Sequence, residues 1–232
     1  MINIFYFSTF KDFLIQDELK KNIKDAGFEY PSDVQKQCLP HSLSGSDVLC
    51  QGKAGMGKTA IFIFTIINRI LKQEIKGELS CLVLCHTREL AYQISKEFAR
   101  FSKDLNIKTC LLIGGDNEKN QIQELKNKPV VIIGTPGRIL SLTKKKQLNL
   151  DNIQVFVIDE CDKMLNALGK FIYFYLILLL KNRYESGCPE NFQENSLRQT
   201  SNDVHSNFTR RYQGSLQEIH EKTSRNNSQR RK

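Results

Sequence analysis

Between residues 10 and 165, short apolar runs alternate with stretches of helical periodicity. The runs at 47–50, 80–85, 108–113, 130–133 and 155–158 have the length and β-branched content of strands. Helical spacing of apolar residues lies between them, most clearly over 59–72 and 88–101. Strands that are apolar along their whole length, separated by helices, predict a parallel sheet covered on both faces. The expected class is therefore α/β, with ligands bound at the carboxyl ends of the strands. No internal repeat is visible.

Composition narrows this picture. The chain has 232 residues, 40% of them hydrophobic, which supports a real core and excludes a disordered or collagen-like chain. The length fits one domain plus a remainder. The net charge is +9, with +5 on residues 1–170 and +4 on the 62 residues after them. Such a balance points to an anionic partner without identifying it. The seven cysteines, at 38, 50, 81, 85, 110, 161 and 188, are scattered and mostly sit in apolar runs, as reduced core thiols do. Cys81 and Cys85 flank a strand and have no second pair or histidine cluster to complete a zinc site. Residues 1–7 lack the basic start and small-residue cleavage site of a signal peptide. The apolar run at 171–180 is about half the length a membrane helix needs.

The sharpest chemistry lies in Gly52-Lys53-Ala54-Gly55-Met56-Gly57-Lys58-Thr59, which follows the 47–50 run and opens a helix. It satisfies the phosphate-loop pattern in the strand–loop–helix setting that the pattern requires. The glycines let backbone N–H groups turn toward an anion, and the helix N-terminus adds a favourable dipole. Lys58 is expected to reach the β and γ phosphates, and Thr59 to ligate magnesium. A Gly-rich turn arising by chance would bring no such lysine, hydroxyl and flanking elements together. Residues 155–158 then form a buried strand with Asp159, Glu160 and Asp162 at and beyond its end. In a phosphate-loop fold, an Asp there holds magnesium and a neighbouring Glu orients or deprotonates the attacking water. The competing reading is an acidic strand-to-helix turn. Lys58, Asp159 and Glu160 are the catalytic candidates, and Thr59 and Asp159 the metal candidates.

With the string Asp159-Glu160-Cys161-Asp162 the chain resembles the DEAD-box RNA helicases, in their DECD branch. Other motifs follow in the family's order. Gly27-Phe28, Pro31-Ser32 and Val34-Gln35 look like the Q motif, where the resemblance implies that Gln35 reads the adenine edge. Phe10, upstream of Gly27, matches the aromatic that stacks on adenine. His86-Thr87-Arg88-Glu89-Leu90 corresponds to motif Ia, with His where most relatives have Pro. Gly114-Gly115 and Thr135-Pro136-Gly137-Arg138 match the remaining RNA-contacting motifs. Arg88, Gly115, Thr135 and Arg138 all follow predicted strands, where amides, hydroxyls and guanidinium groups grip a sugar-phosphate chain without reading bases. The run Lys144-Lys145-Lys146 reads instead as a solvated face.

The resemblance implies a RecA-like domain that takes ATP and Mg2+ and holds RNA, as a single strand or short duplex, independently of sequence. It further implies two tandem domains that close on ATP and RNA, separate a short duplex locally and reopen on hydrolysis. For the DECD branch it implies a nuclear location and protein partners of splicing and mRNA export, without membrane association, for a monomer. Residues 10–168 carry the resemblance after a short extension at 1–9, and the family's Ser-Ala-Thr motif and second RecA-like domain do not follow. The chain alone is therefore expected to be inactive. Residues 169–232 read as translated intron followed by out-of-frame exon. The codons for Gly169-Lys170-Phe171 accommodate the donor GTAAGT, and those for Asn182-Arg183 an AG acceptor. Joining across them allows Leu-Asp-Met-Arg, and residues 189–204 shifted by one base permit QKIFKKTPYDKQVMMF, both like the family's continuation. The alternative is a truncated isoform that binds RNA or partner proteins without hydrolysing ATP. Another phosphate-loop ATPase or kinase would leave Gln35, the 86–90 run and the 135–138 run unexplained.

Overall fold

The computed structural model describes residues 8–50, 52, 55–160 and 163. Four strands, β1 (Cys81–Leu84), β2 (Thr109–Leu112), β3 (Val131–Gly134) and β4 (Val155–Ile158), form one sheet in the order β2-β3-β1-β4. Every pairing is parallel, and Cys81 stands beside Val131 on one side and Val155 on the other. Among the described residues six α-helices accompany them, after a 3-10 turn at Phe10–Asp12: α1 (Asp17–Asp25), α2 (Asp33–Leu43), α3 (Lys58–Leu71), α4 (Arg88–Phe101), α5 (Glu118–Leu125) and α6 (Pro136–Lys144).

β1 and β3 are buried along their whole length, and the α/β expectation is met for that reason. Alternate side chains serve opposite faces. Cys81, Val83, Val131 and Ile133 join a core with α1, α3 and α4. Leu82, Leu84 and Ile132 join a second core with Ile139 and Leu142 of α6. α4 shows how local sequence sets this arrangement. Thr87 caps it, its hydroxyl accepting the Leu90 N–H at 3.1 Å. Ala91, Ile94, Phe98 and Phe101 then fall on one buried stripe. Upstream, the Asn68 amide is buried and ties down the N-terminal segment, accepting from Gln16 N at 2.8 Å and donating to the Leu14 carbonyl at 3.3 Å.

The strand expected at 47–50 is a correction. That segment joins no ladder, and Val48 and Leu49 are 39% and 36% exposed. A strand is defined by its hydrogen-bonded neighbour, and β4 is the outermost strand on its side of the sheet, with all four residues only half-buried. The apolar character of 47–50 was legible, but among the described residues it has no ladder partner. The five described cysteines are free thiols. Burial pushes Cys81, Cys85 and Cys110 up to about 12. Among the described residues no helix is long and apolar enough to cross a membrane. The 171–180 run, the 169–232 tail, Cys161, Asp162 and Cys188 lie outside the described residues, as do residues 1–7.

Candidate functional site

The loop at 52–59 is held from behind by α2. Ser32 and Gln35 form a capping box at the start of α2, with the Ser32 N–H donating to Gln35 Oε1 at 2.9 Å. The other end of the same amide, Gln35 Nε2, donates to the Gly57 carbonyl at 3.1 Å, and Ser32 Oγ donates to the Met56 carbonyl at 2.8 Å. Gly57 stands at the N-cap of α3 with φ +74°, and a Cβ there would lie 2.5 Å from Gln35 Nε2, so both conformation and space favour glycine. Lys58 is the first residue of α3, and its Nζ donates to the Gly52 carbonyl at 2.6 Å. Thr59 follows it, half-buried, while Gly55 is exposed and Met56 half-buried. Lys53 and Ala54 lie outside the described residues.

Two residues for which the resemblance implies an adenine contact also have partners within the fold. Gln35 is 2% exposed, and its amide bonds the Ser32 N–H and the Gly57 carbonyl. Phe10 is 4% exposed, with its ring edge-on to Phe64 at 5.7 Å and tilted on Phe13 at 6.1 Å. In this fold the ring is part of the aromatic core around Phe64.

β4 delivers the carboxylates at its carboxyl end, where the Asp159 N–H donates to the Leu84 carbonyl at 3.0 Å. Glu160 sits at φ +51°, a left-handed conformation that costs a non-glycine residue roughly 1–3 kcal/mol, and its N–H donates to Asp159 Oδ1 at 2.9 Å. Burial pushes the Asp159 carboxyl above its ordinary range; the Glu160 N–H, Lys58 and His86 pull it down without cancelling that cost. A carboxyl raised in the fold stabilises it most at low pH, and that stability is lost as pH rises from the ordinary 3.8 through the higher folded value. Asp159→Asn is therefore expected to raise the urea midpoint at pH 7. The gain should shrink toward zero as the pH falls below the ordinary value. An equal midpoint at pH 7 would remove the burial cost from the argument.

Beside the carboxylates lies a cleft of about 500 Å³. Thr87, Arg88, Thr135, Gly137 and Arg138, all expected from sequence, line it together with His86, Glu89 and Gly114. The first turns of α4 and α6 begin at Arg88 and Pro136, so the positive ends of two helices stand at its wall. Pro136 is buried at the first position of α6, where its fixed φ suits helix initiation. Arg138 is braced, with Nη1 donating to Gln121 Oε1 at 2.9 Å and Nη2 to the Asp116 carbonyl at 3.1 Å. Gln121 is itself buried and donates to the Ile113 carbonyl at 3.0 Å. Thr135 Oγ1 accepts the Gly114 N–H at 3.3 Å.

Gly115 has φ +92°, and a Cβ there would overlap the Arg88 guanidinium, coming within 2.8 Å of Cζ. Gly115→Ala is expected to push Arg88 out of the cleft and to cost about 1–2 kcal/mol through backbone strain. Urea denaturation reads that cost, and a midpoint equal to wild type overturns it. His86 joins the two halves of the site: it lines the cleft, and its Nδ1 lies 3.1 Å from Glu160 Oε2. That nitrogen is buried and lacks a well-directed hydrogen bond among the described residues, while Lys163 Nζ approaches the same carboxylate oxygen at 3.0 Å. Lys144, Lys145 and Lys146 are exposed, with Lys145 Nζ 2.6 Å from Glu118 Oε1, as a solvated face requires.

The family model for DEAD/DEAH box helicases matches residues 32–193. The ATP-dependent RNA helicase sub2 of Aspergillus fumigatus is 50% identical over 165 residues, which cover 69% of this chain and 36% of that protein. The DEAD-box ATP-dependent RNA helicase 56 of Oryza sativa subsp. japonica is 50% identical over 163 residues, covering 69% of this chain and 37% of that protein. A crystal structure of a hypothetical ATP-dependent RNA helicase from Sulfolobus tokodaii is similar with a TM-score of 0.65 at 27% identity, over 73% of this chain and 48% of that one. That likeness extends to the parallel sheet and its covering helices, as the RecA-like expectation requires. The chain spans a little over a third of the length of the curated relatives it matches.

Proposed function

The chain belongs to the DEAD/DEAH box helicase family, and from that premise we propose that residues 10–168 are the ATP- and RNA-binding first domain of an ATP-dependent RNA helicase. The reading rests above all on His86, which lines the cleft and lies 3.1 Å from Glu160 at the nucleotide site. A nucleic-acid backbone in the cleft and a nucleotide in the loop would therefore share one structural link.

Lys58 exchanges the Gly52 carbonyl for a phosphate oxygen, and the loop amides enclose the rest. Glu160 orients the attacking water. Thr59 and Asp159 are the oxygen donors that would hold Mg2+, and a half-buried carboxylate short of compensating charge suits a hard cation. Magnesium, when bound, neutralises charge on the β and γ phosphates. Thr87, Arg88, Gly115, Thr135, Gly137 and Arg138 take the RNA backbone without reading its bases, and Pro136 fixes the start of α6 beneath them. The DECD string at 159–162 supports a nuclear role in pre-mRNA splicing and mRNA export, with partner proteins of those processes.

A titration of the purified chain with a fluorescent ATP analogue and a labelled single-stranded RNA tests the reading. Both are expected to bind, the analogue more tightly with Mg2+, and unrelated RNA sequences about equally. Arg88→Ala should weaken every RNA alike and lower the salt slope by about one. Wild-type RNA affinity in that variant rejects the cleft. RNA-stimulated hydrolysis is expected to be slight in this chain, which covers so little of its relatives' length, and brisk turnover would reject the non-hydrolysing isoform as the alternative. We assign residues 169–232 to translated intron and shifted exon. Transcripts sequenced across the codons for 169–184 decide this, since a dominant message retaining GTAAGT, with stable protein, sinks the assignment.

A further inference from the structure

α5 buries one residue, and it is a polar one. Gln121 is 4% exposed on a helix whose other side chains are exposed or half-buried. An amide taken out of water needs partners for both of its ends. Gln121 has them in two different parts of the chain. Its Nε2 donates to the Ile113 carbonyl at 3.0 Å, just beyond β2, and its Oε1 accepts from Arg138 Nη1 at 2.9 Å, in the first turn of α6. β2 and β3 run side by side with Leu112 opposite Gly134, so the chain leaves both strands at the same edge. Gln121 spans the two exits there. One bond anchors the amide to the end of the sheet, and the other passes that anchorage to a guanidinium in the cleft wall.

Arg138 is held at a second point, where Nη2 donates to the Asp116 carbonyl at 3.1 Å. These bonds take two of the five N–H groups of a guanidinium, so the fork is fixed while donors remain for an incoming oxygen. A side chain ordered before its ligand arrives has already lost its rotamer freedom in folding, and binding costs that much less. A rival partner stands nearby. Glu118 is three residues before Gln121, on the same side of α5. Its carboxyl is held below the ordinary range first by the hydrogen bond from Lys145 and, to a lesser degree, by the charge of Arg138. An Arg138 released by Gln121 would have that carboxylate to turn to, and the cleft would lose a cation.

We propose that Gln121 is a positioning residue for the cleft: it holds the Arg138 guanidinium in place for a phosphate and thereby raises affinity for every RNA alike. The proposal rests on the reading of the cleft as the RNA site. Gln121 is not among the residues that line the cleft, and it acts through Arg138. The effect is independent of sequence, because a guanidinium on a phosphate reads no base.

Fluorescence anisotropy of a labelled single-stranded RNA, titrated with the 232-residue chain at several salt concentrations, tests this. Arg138→Ala should raise the Kd about tenfold and lower the salt slope by about one. Gln121→Met, of similar length but without either polar group, should raise the Kd about fivefold, because the guanidinium is present but unplaced. In the double variant, Gln121→Met should add nothing to the loss from Arg138→Ala, since its effect runs through that one side chain. Additive losses would make Gln121 a support of the fold alone and overturn the proposal. Wild-type affinity in Gln121→Met, beside a weakened Arg138→Ala, would reject Gln121 and leave the cleft reading intact. Gln121→Met also strips the Ile113 carbonyl of its donor, so a lower urea midpoint is expected. Arg138→Lys is free of that cost: it keeps the charge but not the fork that meets Gln121 and Asp116 together. Its Kd should rise severalfold at a salt slope near that of wild type. Unchanged affinity in Arg138→Lys would show that charge without placement suffices, and would overturn the proposal. If Arg138→Ala binds RNA as wild type does, the cleft reading fails at that residue and the proposal falls with it.

Discussion

Truncating Phe64 to alanine is expected to destabilise the chain by about 3–5 kcal/mol, a large part of the roughly 5–15 kcal/mol that holds a domain together. Phe64 is fully buried, and three rings stand edge-on to it: Phe101 at 4.8 Å, Phe10 at 5.7 Å and Phe28 at 6.4 Å. Those rings come from the end of α4, the N-terminal turn and the stretch between α1 and α2, so one side chain closes three parts of the chain onto α3. Perpendicular ring pairs add about 0.5–1.5 kcal/mol each beyond their burial, which is why the upper end of the range is expected. The loss also reaches function, because α3 carries Lys58 and Thr59 at its first turn. Urea denaturation should show a lower midpoint at an unchanged slope. Phe64→Leu, which keeps most of the volume, should recover more than half the loss. Leu14→Ala, at a side chain 82% exposed, should change almost nothing. A Phe64→Ala midpoint close to that of Leu14→Ala would remove the aromatic cluster from its central place.

β4 and α4 occupy the bounds read from the sequence, and the reason is local. Four consecutive apolar residues, or a buried stripe behind a threonine cap, can be seen without knowing what packs on them. The 47–50 run carries the same signal and fails as a strand, because pairing depends on a neighbour that sequence periodicity does not record. α5 is hard to see for the opposite reason. Its buried residue is Gln121, a polar side chain that serves the Ile113 carbonyl and Arg138 rather than an apolar core.

The site divides along the same line. Thr87, Arg88, Thr135, Gly137 and Arg138 were legible because each follows a strand at its carboxyl end, and parallel strands carry all such positions to one edge. Gln35 and Phe10 were legible as motif members but not in what they touch. The loop takes the Gln35 amide, and Phe64 takes the Phe10 ring. His86 was visible only as a departure from the common motif. Its contact with Glu160 joins two distant points in the chain that β1 and β4 bring side by side.

Lys58→Ala is expected to weaken binding of an ATP analogue on the order of a hundredfold, with little change in stability. A charge-assisted contact with phosphate contributes roughly 2–3 kcal/mol, and each 1.4 kcal/mol is a factor of ten. The bond from Lys58 Nζ to the Gly52 carbonyl has a half-buried donor in reach of water, so its loss should move the urea midpoint only slightly. A second effect distinguishes lost contact from lost fold. Lys58 is one of the charges that pull the Asp159 carboxyl down, against a burial cost that pushes it up. Without the lysine that carboxyl should take up its proton at a higher pH. The stability it contributes is present at low pH and lost as pH rises from the ordinary value through its folded value, so in the variant that loss should be larger and continue to a higher pH than in wild type. The Lys58→Ala/Asp159→Asn double variant should lose this displacement while keeping the weakened ATP binding. Equal ATP affinity in wild type and Lys58→Ala would mean that the loop holds phosphate by its backbone alone, with the lysine serving only to close it on Gly52.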